Sequence, residues 1–450
     1  MMRLSEAVAV LGGRMSGADA RFSGVSTDTR SVRAGDLFVA LRGERFDGHE
    51  FLKSAAAAKA AAAIVDSDYA GQFPLPVAIV GDTRFALGAL AQHWRARFKT
   101  ALVAVTGSNG KTTVKEMLAS ILRTHAGESA VLATTGNLNN DIGLPLTLLR
   151  MRRAHRWCAI ELGMNHKGEI AYLAGITQPT VALVNNAQRE HLEFMRSIEE
   201  VAAENASVYE ALAADGVAVI NGDDAHADYF RSRAGGRRVI DFGIQSKTAM
   251  TGTYALKPLT SAVCVRTPDG QVDATLAIPG LHNVRNALAA AACAYAVGID
   301  AKTIAAGLTA FRPYTGRLQV KQARGGATLI DDTYNANPDS VRAAIDVLAS
   351  CPGPTVLVLG DMGEVGEHGQ EFHREVGAYA RSKGIASLLA FGEATRDTVQ
   401  AFGAGARHFD KLEELIPSVS GRSILVKGSR FMKMERVVAA LTGAPVQGGH

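Results

Sequence analysis

Residues 106–113 read Thr-Gly-Ser-Asn-Gly-Lys-Thr-Thr, directly after the apolar run Ala101-Leu102-Val103-Ala104-Val105. Beyond them Val114, Met117, Leu118, Ile121 and Leu122 fall on one face of an amphipathic helix. Strand, glycine turn and helix in that order commit this part of the chain to an α/β layout. They also build an anion cradle, because the turn amides and the positive end of the helix dipole converge on one point. Gly107, Ser108, Asn109 and Gly110 form the turn, Lys111 reaches the terminal phosphates, and the hydroxyl of Thr112, followed by Thr113, ligates Mg²⁺. Val105 stands where a longer phosphate loop has its first glycine, so the loop is the compact GxxGKTT. A small-residue turn alone does not call for a lysine between a glycine and two hydroxyls. The expectation is a nucleoside triphosphate site, taking ATP and Mg²⁺.

The chain has 450 residues, too many for one core. Hydrophobic residues make up 47% and charged residues 20%, the balance of a globular protein. A net charge of +4 with no concentrated basic run argues against nucleic-acid binding. The four cysteines, Cys158, Cys264, Cys293 and Cys351, are scattered without metal-ligand spacing, as expected for thiols in a reducing compartment. No apolar run reaches the roughly 18 residues that span a bilayer, so membrane insertion is not expected. The opening Met-Met-Arg-Leu-Ser-Glu lacks the basic-then-apolar layout of a signal peptide. A cytoplasmic monomer is expected.

Periodicity divides the chain into three α/β domains. The first, 1–82, is a small mixed domain with a strand at Asp36–Leu41, an alanine-rich helix from Lys53 to Ala63 and a strand at Ala63–Val65. A helix over Thr83–Phe98 leads into the second, 83–312, a central P-loop ATPase domain. Its apolar strands, at Cys158–Leu162, Val181–Val184 and Val217–Ile220, alternate with helices, which predicts a mainly parallel sheet. The helical pattern breaks around Phe311–Arg317. The third domain, 313–450, has strands at 327–331, 355–359, 387–391 and 423–427 and a Rossmann-like look, but no GxGxxG.

In open parallel sheets the ligand crevice lies at the carboxyl ends of the strands. Glu161 ends one strand there, and Asn185-Asn186 end the next, with His191 and Glu193 just beyond. Glu161 and His191 beside a phosphate loop are candidates to hold Mg²⁺. Alone, each has a plainer reading, as a solvated strand end and a surface histidine. The segment 134–143 is dense in amides, including Asn137 and Asn140, and is either an Asn/Gly turn cluster or an amide-lined groove. Asn283 and Asn286 share a face at a helix start; either could read a base edge, and capping would explain Asn283. Asp332 ends a strand and could accept hydrogen bonds from a ribose. Asp361 follows another strand, and Lys427, Ser429 and Arg430 stand at a strand-to-helix turn where a carboxylate or phosphate could dock.

Taken together, TGSNGKTT (106–113), GNLNND (136–141), Glu161, NNAQREHLE (185–193), HNVRNA (282–287), GR (316–317) and GDM (360–362) resemble the Mur ligases. These are ATP-dependent amide-bond-forming enzymes that assemble the peptide of bacterial peptidoglycan. The motifs STDTR (26–30), LFVALRGERFDGH (37–49) and DDTYNANPDS (331–340) resemble the member that joins D-alanyl-D-alanine to UDP-N-acetylmuramoyl-tripeptide. The resemblance implies an N-terminal UDP-sugar domain, a central ATPase and a C-terminal domain that brings the dipeptide. It places Ser26, Thr27, Asp28, Thr29 and Arg30, with Phe46, Asp47, Gly48 and His49, at the uridine-nucleotide site, and Asn137 and Asn140 in the substrate channel. Asn283, Asn286, Arg317 and Asp332 would go with ATP, and Asn335, Asn337, Asp361, Lys427, Ser429 and Arg430 with the C-terminal ligand. Folylpolyglutamate synthase shares the compact loop but would not need STDTR and FDGH. One departure stands out. Where the family usually carries a lysine that becomes carbamylated and helps to position a second Mg²⁺, alignment on Ser197, Val201 and Ala202 puts Asn205. Asn cannot be carbamylated and offers a neutral carbonyl instead of an anion, so a second Mg²⁺ is either not held there or relies on Glu204, which points about 100° away around the helix, and on water and substrate oxygens.

Overall fold

The computed structural model describes residues 1–44 and 46–445. Arg45, inside the 37–49 motif, and the last five residues of the expected third domain lie outside the described residues.

Three sheets organise the chain. The first has five strands, among them Gly24–Ser26, Asp36–Val39, Ala62–Asp66 and Val77–Val80, mostly parallel. The alanine-rich helix is shorter than its composition predicts: it covers Leu52–Ala57, and Lys59 turns left-handed at φ 63°. Propensity loses to pairing here, because Ala62–Asp66 completes the sheet between Asp36–Val39 and Val77–Val80. The helix expected over 83–98 spans Thr83–Arg95, capped by the Asp82 carboxylate, which accepts from the Arg84 and Phe85 amides.

The central sheet has nine strands. Val131–Ala133, Trp157–Glu161, Ala101–Thr106, Val181–Val184, Val217–Asn221, Arg238–Gly243 and Met250–Leu256 run parallel, in that spatial order. Ser261–Thr267 and Gly270–Leu276 then extend it as an antiparallel meander that apolar runs do not announce. The helix Lys111–Ala126 buries Val114, Met117, Leu118, Ile121 and Leu122 completely. At about 1.5–3 kcal/mol for each large apolar side chain, this stripe fixes the helix against the sheet without help from the phosphate loop.

The third sheet carries Gln319–Gln322, Thr328–Asp332, Ser423–Lys427, Thr355–Gly360, Ser387–Phe391 and Ala406–Phe409 in spatial order. All pairs are parallel except the first, where the unpredicted Gln319–Gln322 runs antiparallel along the edge. The expected strands at 355–359, 387–391 and 423–427 are present, and Asp332 and Lys427 end adjacent strands in register.

Candidate active site

A cavity of about 850 Å³ opens where the central and C-terminal sheets turn their strand ends toward each other. The phosphate loop forms its floor. Gly110 takes φ 83°, and a Cβ there would stand 2.3 Å from the Asn286 side-chain oxygen, so only glycine lets the loop pass. Lys111 Nζ donates to the carbonyls of Gly107 (2.6 Å) and Ser108 (3.1 Å) and to both oxygens of Glu190 (3.1 Å each). The Thr112 hydroxyl reaches Glu161 Oε1 at 3.2 Å, and Asn139 Nδ2 donates to the same oxygen at 2.8 Å. Glu161 is 2% exposed, and its Oε2 has no hydrogen-bond partner. A buried carboxylate oxygen beside a threonine hydroxyl, both hard donors, suits Mg²⁺.

Arg317 lies between the phosphate loop and the third sheet. Its guanidinium stacks on Tyr334, 3.9 Å from the ring centre, and donates to Thr112 Oγ1 at 3.3 Å. Asn337 caps the helix Pro338–Ala349 by accepting from the Ser340 amide, while its Nδ2 donates to Asn109 Oδ1 at 2.9 Å. A second bridge is ionic. Arg189 donates to Asp339 and to Glu375, which also takes Arg342, and packs over Phe372.

Ser108, Asn109, Gly110, Lys111, Thr112, Asn137, Asn140, Glu161, His191, Arg317, Asn335, Asn337 and Lys427 line this one cavity. Lys427 Nζ sits 2.6 Å from Asp332 Oδ2 and also donates to the Asn335 carbonyl. Burial pulls the Lys427 ammonium below its ordinary pKa, and Asp332 opposes that. Asp332 also accepts from the Leu318 amide, so both of its oxygens already have protein partners. Asn286 donates to Asn283 Oδ1 (3.1 Å) and accepts from Asn185, behind the loop. The cap of their helix, Leu281–Ala296, is Gly280; Asn283 instead donates to the Pro279 carbonyl.

Other expected residues stand off the cavity. Asp361 accepts from the Thr395 amide, Ser429 donates to the Ala336 carbonyl and accepts from the Gly363 amide, and Arg430 lies near Glu435. In the N-terminal unit Asp28 pairs with Arg30, and Ser26 holds the turn through the Asp28 carbonyl. Thr27 and Thr29 are half-buried, and Phe46 is exposed. Asp47 and Gly48 open the short helical turn that carries His49. His49 is 1% exposed, with one ring nitrogen on Asp47 and the other accepting from the Asp66 amide, so it shapes this loop from inside.

Asn205 and Glu204 depart from expectation. The Asn205 amide is fully buried beneath the loop, accepts from Thr106 Oγ1 at 2.7 Å and donates to the Val201 carbonyl at 2.9 Å. Glu204 accepts from the amides of Gly168 and Ile170, the unpaired donors at the start of helix Glu169–Thr177. Neither side chain lines the cavity. Asn205→Ala should therefore cost about 1–3 kcal/mol of stability, read from chemical denaturation, by leaving the Thr106 hydroxyl unsatisfied. Its kcat should stay within a few-fold of wild type, and added bicarbonate should change neither protein's rate.

Sequence reasoning missed Asn139, Glu190 and the Arg189 bridge. Asn139 lies within the amide-dense segment 134–143, and the signal for the other two is three ionisable side chains in a row, Arg189-Glu190-His191, within a loop beyond a strand end.

The chain matches the models of the Mur ligase middle domain over residues 105–294, the Mur ligase glutamate ligase domain over 316–430 and the Mur ligase family catalytic domain over 21–95. It is 42% identical to the UDP-N-acetylmuramoyl-tripeptide–D-alanyl-D-alanine ligase of Escherichia coli K12, covering 97% of this chain and 98% of that protein. Among solved structures, MurF from Acinetobacter baumannii superposes with a TM-score of 0.91 at 33% identity, covering 98% of this chain and 99% of that one. MurF ligase from Thermotoga maritima, in complex with ADP, gives 0.82 at 26% identity, covering 94% and 97%.

Proposed function

The chain belongs to the Mur ligase family, and from that premise we propose that it joins D-alanyl-D-alanine to UDP-N-acetylmuramoyl-tripeptide with conversion of ATP to ADP and phosphate. The observation that carries this reading is the single cavity into which the phosphate loop, Glu161 and the C-terminal residues Asn335, Asn337 and Lys427 all open. Three reactants can meet there.

A carboxylate at neutral pH does not acylate an amine, because oxide would have to leave. The tripeptide carboxylate instead attacks the γ-phosphorus of ATP; the P–O bond to ADP breaks, and an acyl phosphate forms. The free amine of the dipeptide attacks the acyl carbon, the C–O bond to phosphate breaks, and the amine proton is lost. The loop amides and Lys111 hold the phosphates, and Arg317 brings a further cation to the same floor. Holding the acceptor and the amine in one cavity replaces two encounters with one bound arrangement. Glu161 and Thr112 would hold Mg²⁺, which when bound neutralises charge on the phosphate oxygens. His191 faces the same space. Uridine recognition falls to Ser26–Arg30 and Phe46–His49, and the dipeptide to the strand ends around Lys427.

The enzyme works as a monomer in the cytoplasm on this reading. All four cysteines are free, and among the described residues no helix is long and apolar enough to cross a membrane. Phosphate release measured with each substrate alone and with both together tests the proposal. Release should be slow with either alone and rise at least tenfold with both. Equal release without the dipeptide would refute it.

A further inference from the structure

One edge of the central sheet is open, and its surroundings are basic. Strand Val131–Ala133 ends the spatial order there and pairs with Trp157–Glu161 on its inner side. Ala130 accepts from the Arg156 amide, and Thr134 donates to the Ala159 carbonyl. Backbone groups alternate in direction along a strand, so Val131 and Ala133 turn theirs to the open side. The Val131 amide is taken by the Glu128 carbonyl, which leaves the Val131 carbonyl and both groups of Ala133 for a neighbour.

A groove of about 450 Å³ runs along this edge and shares no lining residue with the active-site cavity. Arg123, in the last turn of helix Lys111–Ala126, lines it together with Arg150, Arg152 and His155. Between Asp141 and Glu161 the chain has no acidic residue but carries Arg150, Arg152, Arg153 and Arg156, an exception to the even spread of charge elsewhere. Among the described residues none of these four pairs with a carboxylate, whereas Arg123 meets Glu128 at 2.8 Å. Burial, then the fields of Arg152 and Arg150, hold the His155 imidazole below its ordinary pKa. The Arg152 guanidinium is fixed by the carbonyls of Leu149, Met151 and Ser23, and Arg150 reaches Thr135 Oγ1 at 3.3 Å. These cations are held at the groove without counter-charges of their own.

An open strand edge and uncompensated cations narrow the choice of partner. A phosphate would satisfy the arginines but would meet the outward carbonyls as one acceptor facing another. A flat bilayer would touch the exposed arginines and miss the strand inside the groove. A second copy of this edge is repelled by its own charge, as charged residues beside an edge ensure. An extended peptide offers amides and carbonyls to Val131 and Ala133, and its alternate side chains can carry carboxylates.

We infer that this edge is the docking site for an extended acidic segment of a partner protein. The segment adds a strand beside Val131–Ala133 and sets its carboxylates against Arg123, Arg150 and Arg152.

Fluorescence anisotropy of the full chain with a fluorescein-labelled peptide of alternating glutamate and valine tests the assignment. Binding should saturate at about 50 mM salt and weaken at least tenfold at about 500 mM, where screening acts within a few ångströms. The lysine–valine counterpart should not bind. Arg150→Glu should weaken binding at least tenfold and Arg150→Gln by less; the side chain is exposed, and an unchanged melting temperature certifies the fold. The same peptide N-methylated at every second amide, in either phase, should bind at least tenfold more weakly in one phase. Hydrogen exchange should show the Ala133 amide protected by the unmethylated peptide. Equal binding of the unmethylated and both methylated peptides would overturn the added strand, and binding that Arg150→Glu leaves within twofold of wild type would overturn the site. Absence of saturable peptide binding would also overturn the inference, and capture of the chain by phosphatidylglycerol vesicles in that case would reassign the arginines to a lipid surface.

Discussion

Lys111→Ala should leave a folded protein whose turnover has fallen by roughly 10²–10³ or more. The side chain touches only two loop carbonyls and Glu190, and the helix it begins is anchored by a separate buried stripe. Alanine is the best helix former, so the helix start is not weakened. The loss falls on the step in which charge moves onto the transferring phosphoryl oxygens. It should exceed a simple deletion, because Glu190 is left without its cation next to the phosphates. The double variant Lys111→Ala/Glu190→Gln should therefore regain nucleotide binding, measured by calorimetry, while kcat stays low. Near-normal kcat in a folded Lys111→Ala protein would refute the placement of phosphoryl transfer at this loop.

Glu161→Ala is expected to separate stability from function. Wild type buries a carboxylate with one oxygen unpartnered, an arrangement that costs free energy in the absence of metal. The variant should melt close to the wild-type temperature in EDTA, because relief of that oxygen offsets the loss of the bonds Oε1 accepts from Thr112 and Asn139. In the assay with both substrates, the Mg²⁺ concentration for half-maximal rate should rise by about 10–100-fold or more. His191→Ala should shift it in the same direction by less, since its imidazole is a neutral donor. Mg²⁺ curves that overlay wild type for both variants would mean that neither residue meets the metal.

The strand ends were legible because their strands are. Ala101–Thr106, Trp157–Glu161, Val181–Val184 and Ser423–Lys427 are buried on both faces and centre on short apolar runs, while Thr328–Asp332, equally buried, shows only Leu329-Ile330 before its two aspartates. The residue after each run could be placed on the binding edge from spacing alone. The antiparallel meander at 250–276 escaped because its strands are partly solvated and their apolar residues alternate. Asn205 was found but misread. Sequence places it on a helix near the phosphate loop, yet only packing reveals that its amide points at Thr106. Glu204 illustrates the same gap, since capping a helix 34 residues away in sequence leaves no local signature. The pairing of Glu190 with Lys111 joins residues 79 apart.

Arg189, Glu190 and His191 are consecutive in the chain but face different parts of the molecule. The first is fastened to two helices of the C-terminal unit, and the other two border the phosphate loop. Such a joint makes the two ends of the reaction partners in one thermodynamic cycle. If a nucleotide changes how this tripeptide sits, it changes the grip of Arg189 on Asp339 and Glu375, and with it the affinity for whatever rests against those helices. Reciprocity then requires the second ligand to alter nucleotide affinity by the same factor. Neither ligand would then bind independently of the other, and the link between them would run through the way three adjacent residues divide their attachments.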